Sequence, residues 1–258
     1  MSTELPQVYL LDVEGTVAPV SFVYEQLFPY ARAHFADFLE QNQSNPAVAA
    51  DLTLLAQENR AETDPHAPRI PALSDNLDPV ILTEAYFSAA EGPAFRNAAL
   101  AYLNWLMDHD RKSTALKSLQ GKIWKSGFGS GELKGTLFAD VPDALRRWSA
   151  TARVAIYSSG SVEAQRLVFR HSIFGDLTGL ISAYFDTRTG PKQACASYKA
   201  IAVAMSVAPD GILFLSDVVR ELDAAREAGC RTRLVVREAN APVKDAHGHA
   251  AVESFVTL

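Results

Sequence analysis

Between Pro142 and Val236 short apolar runs alternate with helical patterns, and no other feature of the chain constrains its fold as much. The spacing predicts helices over 142–149, 162–171, 193–206 and 218–228, the last closed by Gly229, a residue suited to ending a helix. Strands are expected over 153–157, 180–185, 212–215 and 233–236. Such alternation requires a parallel sheet with helices on its faces. A further apolar run, Val8-Tyr-Leu-Leu11, reads as a buried parallel strand and has to join this sheet from far away in the chain.

The stretch in between has a different character. Helical spacing marks 22–41, interrupted by Pro29, then 47–59, 79–90 and 94–119, while Pro65, Pro68 and Pro71 mark a loop. The expected organisation is a doubly wound α/β core over 1–19 and 136–258, with an all-helical cap over 20–135 inserted after the first strand. That is where a lid would cover a site. With 258 residues, 48% of them hydrophobic, the chain can bury a core of this size.

Charge and cysteines narrow the partners. The net charge is −6, with both signs interspersed and no basic stripe, which excludes nucleic acid as an expected partner. No apolar run approaches about 18 residues, so no membrane span is expected. Cys195 and Cys230 form no CxxC and have no His at metal spacing, so both are expected reduced. The N-terminal residues lack a basic region and a cleavage-type apolar region. Together these point to the cytoplasm.

In an open parallel sheet, ligands bind beyond the carboxyl ends of the strands. The first strand ends in Asp12-Val-Glu14-Gly-Thr16, and RVAIY ends in Ser158-Ser159-Gly160-Ser161. The strand from 180 is followed by Gly190-Pro191-Lys192, and ILFL ends in Ser216-Asp217, with Glu221 four residues on. Each piece alone has an ordinary reading as a turn, a cap or a surface charge; all four in order at strand ends point to phosphoryl transfer. A phosphomonoester dianion repels a carboxylate nucleophile until its charge is neutralised. Asp12 and Asp217 could ligate Mg²⁺, Lys192 could neutralise one oxygen, and Ser158 or Ser159 with helix-start N–H groups could hold the others. Asp12 is then the nucleophile, and Glu14 carries a proton to the leaving oxygen and from the water.

These residues resemble the haloacid-dehalogenase superfamily of phosphatases, whose first motif is DxDx[TV] where this chain has DVEGT. The other three motifs are matched by VAIYSSGS, Lys192 and LSDVVRE. Glu14 departs from the usual second Asp. With VSFVYEQLFPYA, FDTRTGPK and FLSDVVRELDAAREAG, that departure makes nearly the whole chain similar to the enolase-phosphatase branch of methionine salvage. The resemblance implies a haloacid-dehalogenase-like fold and one Mg²⁺ per chain at Asp12, Glu14 and Asp217. It also implies catalytic Asp12 and Glu14, substrate contacts from Ser158, Ser159 and Lys192, a small phosphorylated metabolite as partner, and a monomer. The alternatives are a phosphatase of the same superfamily acting on another small phosphorylated metabolite, and a non-catalytic binding module.

Three other signals are weaker. Gly127-Phe-Gly129-Ser-Gly131 lacks a GK[ST] and a preceding strand, and reads as a hinge or substrate loop. His247 and His249 fall in a polar, turn-like stretch over 240–249 expected to be solvated. Trp124, Phe128 and Phe138 are candidates for an apolar wall, though packing is the commoner role.

Overall fold

A computed structural model describes residues 5–71, 92–238 and 240–258. The helix expected over 79–90 lies outside the described residues. The chain divides into two compact units, Met1–Gln26 with Phe128–Leu258, and Leu27–Gly127.

Among the described residues the first unit holds six parallel strands in the order β3-β2-β1-β4-β5-β6. They are β1 (Val8–Leu11), β2 (Arg153–Tyr157), β3 (Ala183–Phe185), β4 (Ile212–Ser216), β5 (Arg231–Val235) and β6 (Ala251–Val252). All four residues of β1 are buried, as a strand covered on both faces requires. Leu11 sits opposite Ile156 on one side and Leu215 on the other, so β1 ends one residue short of both neighbours.

Side chains alternate between the faces. Val8, Leu10, Tyr157 and Phe214 pack with Tyr198 and Ile201 of one helix (Cys195–Ala204) and Leu222 and Ala225 of another (Val219–Glu227). On the opposite face Tyr9 stacks on Trp148 of the helix Val141–Ser149, ring centroids 4.4 Å apart, and Trp148 in turn meets Phe255. The sheet is therefore doubly wound.

The second unit is helical. A π-helical turn, Phe22–Leu27, which lies in the first unit up to Gln26, leads into α1 (Phe28–Gln41), whose first turn accommodates Pro29, and α2 follows at Pro46–Ala61. Then come α3 (Gly92–Asp108) and α4 (Thr114–Ser130). In the first unit, α5 is Val141–Ser149, α6 Val162–Arg170, α7 Cys195–Ala204 and α8 Val219–Glu227. Ala31, Phe35 and Leu39 of α1 share a core with Leu52 and Leu55 of α2, Phe95, Tyr102 and Leu106 of α3, and Leu119 and Ile123 of α4. The four-residue spacing along α1 is that of one helix face.

Several local expectations are corrected. The single helix expected over 94–119 is two, because Asp110 turns the chain at φ +47° and Ser113 Oγ accepts the Leu116 N–H to start α4. Gly127-Phe-Gly129 is no hinge loop but the end of α4; a Cβ on Gly127 would strike the Tyr30 ring. The expected strand over 180–185 is shortened by a 3₁₀ turn at Thr178–Leu180, and β6 was not expected. The two compact units divide at Gln26/Leu27 and Gly127/Phe128. Among the described residues no helix is long and apolar enough to cross a membrane.

Candidate active site

Asp12 leaves the buried end of β1 with its N–H donating to Leu215 O at 3.0 Å, which fixes it beside β4. Its carboxylate is 2% exposed at the residue level and fully engaged. Oδ1 accepts from Lys192 Nζ at 2.5 Å and from Val13 N–H at 2.7 Å, and Oδ2 lies 3.1 Å from Ser216 Oγ. Lys192 Nζ also lies 2.7 Å from Glu221 Oε2, and Ser216 Oγ lies 3.0 Å from that same oxygen. One ammonium thus bridges two buried carboxylates, one at the end of β1 and one in the first turn of the helix after β4. Burial works against the Lys192 charge, but Asp12 and Glu221 more than offset it and hold its pKa above the usual lysine value.

The loop after Asp12 turns at Gly15, φ +72°, a conformation open to glycine and costly for other residues. A Cβ there would also collide with the Asp217 carboxylate. Thr16 Oγ1 accepts the Asp217 N–H at 3.1 Å, and Thr16 O accepts from Arg237 Nε at 3.2 Å. Asn240 Nδ2 donates to Gly15 O at 2.8 Å and to Asp217 Oδ2 at 3.1 Å. The two acidic loops are therefore tied together through both backbone and side chains.

Glu14 is half-buried and accepts from Ser158 Oγ at 3.1 Å, while Ser158 Oγ accepts the Gly160 N–H. Burial, then the nearby Asp12 charge, raises the Glu14 pKa. The capping of α6 falls to Ser161, whose Oγ accepts the Ala164 N–H. That leaves Ser158 to Glu14. Ser159 is exposed and takes no part in these bonds.

Asp217 Oδ1 is buried with no hydrogen-bond partner, an arrangement that costs free energy unless something positive meets it. Burial, then Asp12, pushes Asp217 up to about 7, and the same two causes push Glu221 up to about 7. Four carboxylates thus gather around the single charge of Lys192. An all-oxygen acidic set with one unsatisfied oxygen fits a hard divalent cation such as Mg²⁺, which takes one or two carboxylates and keeps water. Among the described residues no three His, Cys, Asp or Glu side chains form a ready-made metal cage.

Of the residues expected at the site, Lys192 is bonded to Asp12, Ser158 to Glu14, and Asp217 to the loop after Asp12 through Thr16 and Asn240. Ser216, Thr16 and Asn240 were not expected there. Ser216 and Thr16 were legible only as flanking motif positions, and Asn240 stood in what read as a solvated loop. Residues 241–245, 247 and 248 of that loop are exposed as expected, but His249 is buried, with Nδ1 2.7 Å from Thr232 Oγ1 and Nε2 3.0 Å from Asp223 Oδ1. The aromatic candidates serve packing. Phe128 is buried and stacks on His171, Phe138 covers the Arg237 guanidinium, and Trp124 donates to Leu27 O within the helical unit. Cys195 and Cys230 are both free thiols.

Comparison with known proteins bears on the same residues. The haloacid dehalogenase-like hydrolase family matches residues 6–229. Enolase-phosphatase E1 of Synechococcus elongatus is 50% identical over 240 residues, covering 91% of this chain and 90% of that protein. Enolase-phosphatase E1 of Pseudomonas syringae pv. tomato is 41% identical over 250 residues, covering 96% and 95%. Among solved structures, the UTR4 protein of Saccharomyces cerevisiae is similar with a TM-score of 0.70 and 32% identity, over 98% of this chain and 100% of that one.

Proposed function

The chain belongs to the haloacid dehalogenase-like hydrolase family, and from that premise we propose that it is an enolase-phosphatase of methionine salvage. Its substrate is 2,3-diketo-5-methylthiopentyl-1-phosphate. The diketone is enolised, and phosphate is then removed to leave the acireductone 1,2-dihydroxy-3-keto-5-methylthiopentene. The relatives called enolase-phosphatase support the substrate. The phosphatase half rests on one observation: Lys192 Nζ bridging Asp12 at the end of β1 and Glu221 in the first turn of α8.

In this reading Asp12 attacks phosphorus and takes the phosphoryl group as an aspartyl-phosphate. Lys192 neutralises one non-bridging oxygen as the group arrives. Ser158, Ser159 and the N–H groups entering α6 receive the others. Glu14 gives a proton to the leaving oxygen, then takes one from the water that opens the aspartyl-phosphate. Asp12, Glu14 and Asp217 would hold one Mg²⁺ per chain. When bound, the ion supplies the positive charge that lets an anionic carboxylate approach a phosphate dianion. The enzyme works as a cytoplasmic monomer on this small metabolite.

The test is a substrate panel with Mg²⁺, following enol absorbance and phosphate release together. The diketone phosphate should give both signals. Turnover of sugar phosphates with neither signal from the diketone phosphate overturns the substrate, and absence of any Mg²⁺-dependent phosphate release overturns the reaction.

A further inference from the structure

Three consecutive carbonyls in the loop between β3 and α7 are each met by a buried hydroxyl. Tyr157 OH donates to Gly190 O at 2.8 Å, Ser197 Oγ to Pro191 O at 2.8 Å, and Tyr198 OH to Lys192 O at 2.6 Å. Tyr157 and Tyr198 are fully buried and Ser197 is nearly so. Gly190, at φ +140°, has no Cβ to hold the loop away; a Cβ there would strike Ser197 Oγ. The two phenol rings meet edge to face with centroids 5.7 Å apart, so the two side chains pack directly on one another. Lys192 Nζ lies 6.0 Å from the centroid of the Tyr157 ring.

We infer that Tyr157, Ser197 and Tyr198 form a hydroxyl clamp that positions Lys192, fixing the loop backbone so that the ammonium reaches both Asp12 and Glu221. The physical reason lies in the side chain. A lysine has four flexible torsions, and its ammonium falls in a defined place only when its backbone and its charged partners are both fixed. Asp12 and Glu221 fix one end and the three carbonyls fix the other. Burial raises the pKa of both tyrosines, so each stays a neutral O–H donor across the working range. These are positioning residues: none of them needs to touch the phosphate. The inference rests on the reading of Lys192 as the phosphate-binding amine.

The test measures affinity for inorganic phosphate by calorimetry with Mg²⁺ present, on the full chain well below its melting temperature. Wild type, Tyr198→Phe, Ser197→Ala, Lys192→Ala and the Tyr198→Phe/Lys192→Ala double variant are compared. Loss of one such hydrogen bond is expected to weaken phosphate roughly three- to tenfold, with no further loss once Lys192 is gone. A structural role alone would lower the melting temperature and leave the phosphate Kd unmoved. Wild-type affinity in both Tyr198→Phe and Ser197→Ala overturns the clamp, as does a weakening that persists undiminished without Lys192. If Lys192→Ala leaves phosphate affinity intact, the reading of Lys192 fails and the clamp fails with it. Should Tyr198→Phe not fold, Ser197→Ala, alone and with Lys192→Ala, carries the same comparison.

Discussion

Asp140→Asn should destabilise the protein strongly at neutral pH, and the loss should fade in acid. Asp140 Oδ2 accepts from Arg237 Nη1 at 2.9 Å, Ser254 Oγ at 3.0 Å and Phe255 N–H at 2.7 Å. The pair is buried, with side chains 12% and 7% exposed. Breaking a buried pair from one side costs about 3–5 kcal/mol, because the remaining charge is left without its counterion. Here Arg237 keeps Thr16 O, Glu253 O and two aromatic faces, Phe138 at 4.4 Å and Phe255 at 4.5 Å. We therefore expect about 3 kcal/mol, near the lower end. For a chain of this size that is a fall in Tm of roughly 6–12 °C.

The pH dependence follows from the carboxyl group. Burial pushes the Asp140 pKa up, but Arg237, the Phe255 N–H and Ser254 more than offset it and hold it below the usual 3.8. A depressed folded value means that the contribution is complete well above 3.8 and disappears as pH falls through the folded value. Urea unfolding of wild type and Asp140→Asn should show a constant gap from pH 8 to pH 5, at the size given above, and a shrinking one at and below about pH 4. A gap under about 1 kcal/mol at pH 7, or one that does not change in acid, would refute the reasoning.

Three further outcomes are expected. Asp12→Asn should lower phosphate release by at least about a thousandfold with unchanged far-UV circular dichroism, since the amide matches the carboxylate in shape but not in nucleophilicity; substantial turnover would remove Asp12 from that role. Gly15→Ala should cost about 1–2 kcal/mol of stability from the positive φ and, by displacing Asp217, reduce activity more than tenfold; wild-type kinetics would show that the two loops need not meet so closely. Adding Mg²⁺ at about a hundred times its Kd should stabilise the wild type by about 2.7 kcal/mol in thermal melts. That gain should be largely lost in Asp217→Asn, and an undiminished shift would place the ion elsewhere.

What the sequence revealed follows from local chemistry. Strands β1, β2 and β4 were legible because each is a short, largely apolar run buried almost throughout, and Asp12, Ser158 and Asp217 because they sit one step past the strand ends. Lys192 depended on order along the chain, since a lone lysine carries no signal of burial. What escaped was decided by partners distant in sequence. β6 is two residues long and exists because Leu234 and Val235 offer an edge. Asn240 belongs to the site through Gly15 and Asp217, which no local pattern could indicate. The glycines at 127 and 129 suggested a loop because glycine weakens helices on average, but packing of Gly127 beneath Tyr30 overrode that preference.

The position of β1 at the middle of the sheet has a consequence for how the protein is made. Val8 pairs with Arg153 on one side and with Ile212 on the other, so β1, made before the other strands of this sheet, is among the last to be fully paired. The helical segment lies between these partners in the chain and has a core of its own. During synthesis, its residues all emerge while β1 still has neither neighbour. Asp12 acquires its backbone anchor only when Leu215 arrives. A nascent chain halted before that residue carries Asp12 but has no β4 to hold it.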